Sequence, residues 1–557
     1  MLKRPSILFV CAALAACETT PPATPPDASV MAPEDAPPPP PYVAPAAPLR
    51  RLTQSQYANT LHDLFGDAVV VPRALEPDTS REGSRAVGSA EASLSARGAE
   101  QYQDAAYAIA EQVLRDATRR AAVVTCTPTG PSDTACATTF VRTMGRRAWR
   151  RPLTDEEVGA LVAVGMRASM TLSDFHRGME YALAAMLQAP DFLYRAELGV
   201  ADPMRDGERR IAGYDLASRL AYFLWDGPPD DALLDAAGDG SLDTEAGRAR
   251  EVDRLLASPK AHRGLRAFVT DWLHLAELDA LSKDATVFPA FSADLGASAR
   301  EEVLRNAESF TFEHDGDFRD FFTTRETWVN RRLAALYGVQ FPVRDAPVTE
   351  FAHVTLPASV PRRGFLGSAA FLALEAHPVS TSPTLRGKFI RQALLCYTIP
   401  APPVNVNTAI PEPSASLRTL RQRLDRHMSD RACRSCHISL DPIGLTFERF
   451  DGIGRFRLDD HGAALDLSGS LDGRAYTSEL AFYDALHDHP LLPECIVERV
   501  YRHAWAHVET GDQRAEIVRL RDSFAASGYR LRTLLREVAV GAAFRRATNE
   551  ILDGGTR

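Results

Sequence analysis

RRLTQSQYANTLHDLFG, from Arg50 to Gly66, sets the pattern that the rest of the chain repeats. Leu52, Tyr57, Leu61, Leu64 and Phe65 fall on one helical stripe, and Gly66 supplies the stop. Outward from it, Phe140 to Trp149 reads as helix. After Pro152, Thr154 with Glu157 forms a capping box for the next helix. Met179 to Tyr194 is apolar and helical, with an interruption at Pro190, and Ala212 to Trp225 repeats the pattern until Gly227-Pro228-Pro229 breaks it. Ser258-Pro259 opens a helix that reaches about His274, and Asn330 caps a short one ending at Tyr337-Gly338. Breakers return from Pro400 to Pro413, followed by a helix on Leu417, Leu420 and Leu424 and by helices over Pro493–Tyr501 and from about Gln513 to Phe544. No run alternates over several strands and no repeat of 20 to 50 residues is present, so the expected class is mainly α.

A chain of 557 residues is too long for one core. The breakers suggest a helical domain over 48–120, a small one over 121–175, a central one over 176–315, one over 316–412, a small unit over 413–475 and a C-terminal helical domain over 476–557. With 45% hydrophobic and 24% charged residues and a net charge of −10, the composition fits a globular protein and excludes a basic nucleic-acid binder.

The first residues read as an export signal. Lys3 and Arg4 precede the apolar run Ile7 to Ala16, which is too short to span a bilayer. Leu14-Ala15-Ala16-Cys17 resembles a bacterial lipobox, which implies cleavage after residue 16 and lipidation of Cys17. Glu18 stands where an Asp would resemble an inner-membrane retention signal, so the expected place is the outer membrane of a bacterial envelope. Residues 17–47, with Pro37 to Pro41 in a row, read as an extended tether.

Eight cysteines are present. Cys11 lies in the signal segment, Cys17 would be acylated, and Cys433 and Cys436 share one motif. The even remainder suits two disulfides in an exported chain, with buried free thiols as the alternative. Cys126 and Cys136 bracket a Pro/Gly/Ser/Thr-rich loop and pair on that ground, which leaves Cys396 for Cys495.

The chemistry concentrates in ACRSCHISLDPIGLTFERFDGIGRFR, Ala432 to Arg457. Cys433-Arg434-Ser435-Cys436-His437 is the c-type haem attachment pattern. Two thiols three positions apart can add to the two vinyl groups of one haem, and the next residue, His437, then serves as proximal iron ligand. A redox dithiol would sit in a βαβ context, and a zinc site would need two further ligands, with only His461 near. The second axial ligand is open. No Met follows Met428, so the candidates are His427, Met428, His461, His487, His489, His503, His507 and His377. Asp441, Glu448 and Asp451 read as loop and helix-end fixers more than as acid–base groups. Arg455 and Arg457 could meet haem propionates. Thr381 to Lys388 is a polar turn that could face the haem. No Walker loop, Gly-x-Ser-x-Gly elbow or His-Glu-x-x-His occurs.

The chain resembles the planctomycete-type cytochrome c multidomain family in five blocks: Arg50–Gly66; Phe140–Val158; Ala189–Gly199 continuing to Tyr214–Ala237; a fourth from TWVNRRLAALYGV through RRGFLGSAAFLALEAHPVSTSPTLRGKFIRQALLC to the attachment segment; and Cys495 to about Arg546. The tail Asp441, Pro442, Gly444, Glu448, Phe450, Asp451, Gly454, Arg457 is similar to the family pattern, and His427 occupies a family position. The resemblance implies a mainly α multidomain protein with a small cytochrome-c-like unit and covalent haem c. Because the family's domains are of unknown function, it implies no reaction. The leading expectation is electron transfer with a redox partner protein or a small-molecule donor or acceptor, on a membrane reached through the lipid anchor. A haem peroxidase or oxidoreductase acting on an extracellular substrate, and an envelope scaffold with structural haem, are the other two.

Overall fold

The computed structural model describes residues 40–47, 49–91, 93–400, 410–429 and 431–548. The expected signal segment, Cys17 and most of the tether lie outside them. The architecture is mainly α, with five small antiparallel sheets as ties between helices.

The opening stretch folds as read. Thr53 Oγ1 accepts from the Gln56 amide at 3.2 Å and the Gln56 side chain accepts back from the Thr53 amide, a capping box at the head of the helix Gln54–Phe65. Gly66, at φ 91°, ends it. Tyr57, Leu61 and Phe65 are buried and Leu64 half-buried; Thr60 joins the buried face by hydrogen bonding to the Tyr222 hydroxyl at 2.9 Å. This helix shares one apolar core with Ala96–Arg115, Thr134–Ala148, Asp155–Leu172 and Phe175–Gln188. The helix read as running to Tyr194 stops at Gln188, and after a turn on Pro190 the chain becomes the strand Tyr194–Ala196. That strand pairs with Leu49–Arg51, Arg50 facing Arg195. Strands of two to four residues carry too few alternations to be read from sequence.

From residue 211 onward the segments read as separate units feed a single core. Leu220 and Trp272 of the central helices, Phe371 before the attachment segment, Ile443, Phe447 and Phe450 within it, and Ile496 and Phe544 after it all belong to one buried cluster. The long helix expected from Gln513 to Phe544 is two, Arg514–Ala526 and Leu531–Val540. Gly528 at φ 73° and Tyr529 at φ 59° turn the chain between them. The last tether residues also belong to the body: Ala44 is buried, Val43 and Pro45 carbonyls accept from Gln513 and the Thr548 amide, and the Val43 amide donates to Asp512.

Buried arginines lock the two cores together. Arg50 donates to the carbonyls of Ala504 at 3.1 Å and Trp505 at 2.6 Å, so the first strand is fastened to the C-terminal helix Leu491–Trp505. Glu197 lies 3.4 to 3.6 Å from Arg50, Arg195 and Arg219. Burial opposes its charge, yet the three guanidiniums hold its carboxyl below the usual range.

Asp226, at the end of the helix Gly213–Trp225, is buried and accepts from Asn59 Nδ2 at 3.0 Å. Burial pushes its carboxyl up to about 7. The folded chain therefore binds this proton more tightly than the unfolded one, and stability falls as pH rises from about 4 to 7. Asp226→Asn keeps an acceptor for Asn59 and suits the left-handed backbone at φ 49°. It is expected to melt above the wild type at pH 8 and level with it below pH 4, as read by Tm across that range.

Both disulfides, Cys126–Cys136 and Cys396–Cys495, are present. They close loops with sequence separations of 10 and 99 residues. Loop-closure entropy gives the longer loop about 4.7 kcal/mol and the shorter about 3 kcal/mol. Replacing Cys396 and Cys495 with serine is thus expected to lower the chemical-denaturation midpoint more than the same change at Cys126 and Cys136. No helix among the described residues is long and apolar enough to cross a membrane.

Candidate haem attachment site

The attachment segment lies on the helix Arg431–Leu445. Leu420–His427, N-capped by Thr419 and tied to Asp460 Oδ2 through the Leu420 amide at 2.7 Å, leads into it. Pro383–Phe389 packs across it at backbone contact: a Cβ on Gly387 would strike the Leu440 carbonyl, and one on Gly444 would strike that of Pro383. Only glycine permits the two helices to meet so closely.

Cys433 and Cys436 stand one helical turn apart, half-buried and free, while Cys126, Cys136, Cys396 and Cys495 are all in disulfides. His437 follows on the same helix with its side chain 21% exposed. Its Nδ1 donates to Asp441 Oδ2 at 2.8 Å, and that hydrogen bond raises its pKa against the effect of burial. Asp441 is wholly buried, and its other oxygen accepts from Thr384 Oγ1 at 2.7 Å. With Nδ1 engaged, Nε2 is the nitrogen left for a metal. The His427 ring stands edge-on to that of His437, centroids 5.1 Å apart. The two helices that carry these histidines share a small apolar cluster of Leu420, Leu424 and Leu445, with Ile410 packed against it. Two free thiols, an oriented imidazole, a second imidazole and apolar neighbours are a donor set that fits covalent haem.

Four of the other ligand candidates have partners elsewhere. His461 pairs with Asp460 at 2.9 Å, His489 with Asp472 at 2.9 Å and His487 with Asp488 at 3.0 Å. His503 is packed between Phe223 and Phe268, His507 is half-buried in the loop after Trp505, and His377 is exposed. Met428 caps the helix that carries His427.

The three carboxylates do not converge. Asp441 serves His437, Asp451 Oδ1 accepts from the amides of Ile453 and Arg455, and Glu448 lies between Arg386 at 3.3 Å and Arg457 at 2.5 Å. Arg457 also reaches Asp460 at 3.2 Å, so its guanidinium is committed to protein carboxylates and the propionate role does not suit it. Arg455 is exposed. The polar turn 381–388 does face the attachment segment: Thr381 donates to Glu448, Thr384 to Asp441, and Arg386 to the Phe447, Phe450 and Asp451 carbonyls. The orienting role of Asp441 went unread, although its i,i+4 spacing from His437 on a helix was the available signal.

Four family models match, each described as a protein of unknown function: PSD3 (DUF1587) at residues 50–115, PSD5 (DUF1595) at 136–197, PSD4 (DUF1592) at 211–339 and PSCyt3 (DUF1588) at 362–460. No curated protein and no solved structure matches the chain. The PSCyt3 match contains the whole of the attachment helix and the turn packed on it. Four matches in a single chain, ending on the segment that carries Cys433, Cys436 and His437, establish that this protein belongs to the planctomycete cytochrome c family of multidomain proteins.

Proposed function

We propose that this chain is an exported, lipid-anchored c-type haem protein that carries electrons in the bacterial cell envelope. Cys433 and Cys436 would hold the haem, and His437, through Nε2, would ligate its iron with His427 as the second histidine. The observation that carries the reading is the cysteine partition: four of the described cysteines are oxidised in pairs, and the two free ones sit one turn apart beside an oriented histidine. Structural disulfides belong to an oxidising compartment, which is where c-type attachment also takes place. Lipidation of Cys17 would keep the protein at a membrane, and its partner would be a redox protein or a small-molecule electron carrier.

Bound haem supplies a one-electron iron couple. The chain supplies orientation. Asp441 and Thr384 fix the tautomer and plane of His437. Ligation by two histidines would favour electron transfer over peroxide chemistry, which requires an open iron position.

The test is expression with export and haem-maturation machinery, followed by optical spectra of the reduced, denatured protein. Covalent haem that resists acid–acetone extraction and a low-spin native spectrum inert to peroxide are expected. Absent or extractable haem overturns the reading, and a high-spin iron that reacts rapidly with peroxide replaces electron transfer with the peroxidase alternative.

A further inference from the structure

The imidazole expected to ligate the iron finds its hydrogen-bond acceptor in its own helix. A histidine ligand needs its second nitrogen to donate somewhere, and a neutral carbonyl or a water would suffice. Here the acceptor is a carboxylate with no exposed surface. Asp441 lies one turn after His437, so the helix itself brings the two side chains together at 2.8 Å. The second Asp441 oxygen is held by Thr384 at 2.7 Å, from a helix whose spacing is set by Gly387 and Gly444 in backbone contact. Thr384 Oγ1 also lies 3.5 Å from His437 Nδ1, so the three groups form a closed triangle. Thr384 comes from the facing helix, so the triangle depends on the two helices staying together. A carboxylate shielded from water acts on its neighbour with little screening.

We propose that Asp441, held in place by Thr384, is a positioning residue that makes His437 a strongly electron-donating ligand and thereby sets a low reduction potential for the haem iron. The inference rests on the haem reading above. A carboxylate acceptor raises the basicity of the ligating imidazole, and a more basic ligand stabilises the ferric ion over the ferrous one. The protein would then give up an electron readily, and its partner in the envelope would be an acceptor of higher potential.

The test uses the holoprotein and redox titration followed optically at fixed pH. Haem content is measured first, in the wild type and in each variant. Asp441→Asn keeps the shape and an acceptor oxygen but loses the negative charge. It is expected to favour the reduced iron at least tenfold, a rise of 59 mV for one electron. Asp441→Glu, which restores the charge, returns the potential toward the wild-type value. Asp451→Asn removes a carboxylate from the same unit without touching His437 and leaves the potential unchanged. Wild-type protein without covalent haem overturns the haem reading and this inference with it. Haem present with an unchanged or lowered potential in Asp441→Asn overturns the role of Asp441 alone. Should Asp441→Asn fail to fold, redox-difference infrared spectra of wild-type holoprotein labelled with 13C-aspartate decide. A carboxylate band that shifts with iron oxidation supports the coupling, and its absence overturns it.

Discussion

Exchanging both Cys433 and Cys436 for serine is expected to leave a folded chain with no covalently held haem. The two thiols are half-buried, sit in no disulfide and are not part of the large core, so their loss costs little stability, within about 0.5 kcal/mol. Their chemistry is lost entirely, because a serine hydroxyl does not form the thioether. The single variants each leave one link and one free vinyl group, which shifts the reduced, denatured spectrum to longer wavelength than that of the doubly linked form. The measurement is haem-stained gel electrophoresis with the pyridine spectrum of each variant. Unaltered haem content in the double variant would place the haem elsewhere in the chain.

A large effect on stability is also expected at Arg386. Its side chain has no exposed surface. It donates to the carbonyls of Phe447 at 3.0 Å, Phe450 at 3.2 Å, Leu372 at 3.2 Å and Asp451 at 3.0 Å, and faces Glu448 at 3.3 Å. One guanidinium thus gathers the turn that follows the attachment helix and fastens it to the preceding segment. Burial lowers its pKa to about 10, and the charge survives because of these acceptors. Arg386→Met fits the volume and leaves the acceptors buried without a donor, at a cost of about 3–5 kcal/mol. Arg386→Lys recovers little, since one ammonium cannot span acceptors laid out for a planar fork. Hydrogen exchange of the amides from 446 to 457 is the readout. Their protection should fall on the order of a hundred- to a few-thousandfold, at 1.4 kcal/mol per tenfold. Unchanged protection would mean that Glu448 and Arg457 suffice to hold the turn.

These two expectations differ in how far they could be read without a fold. Cys433, Cys436 and His437 were legible because attachment chemistry demands a fixed local spacing, and a local spacing is written in the chain. Arg386 sat in a stretch readable only as a polar turn, because its five partners lie 14 to 65 residues away. The same contrast holds for the helices. Thr154 and Glu157 announce a helix start within four residues, and that capping box forms. The break between Arg514–Ala526 and Leu531–Val540 was missed because Gly528 stands among residues that continue the helical pattern, and Tyr529 adopts a left-handed backbone that no local rule requires of it.

By itself, then, the sequence determined the helical class, the caps and the attachment motif, since each depends on residues within one or two turns of one another. Tertiary structure alone decided the rest. It merged the segments from 211 to 547 into one core, fastened Arg50 to the carbonyls of Ala504 and Trp505, and took Arg457 for Glu448. It also chose, among eight candidates, to stand His427 beside His437, and it put Thr384 behind Asp441. The physical reason is common to all of these. Buried charges and ligating nitrogens are satisfied by whatever groups the packing delivers, and which groups arrive is a property of helices meeting across the fold.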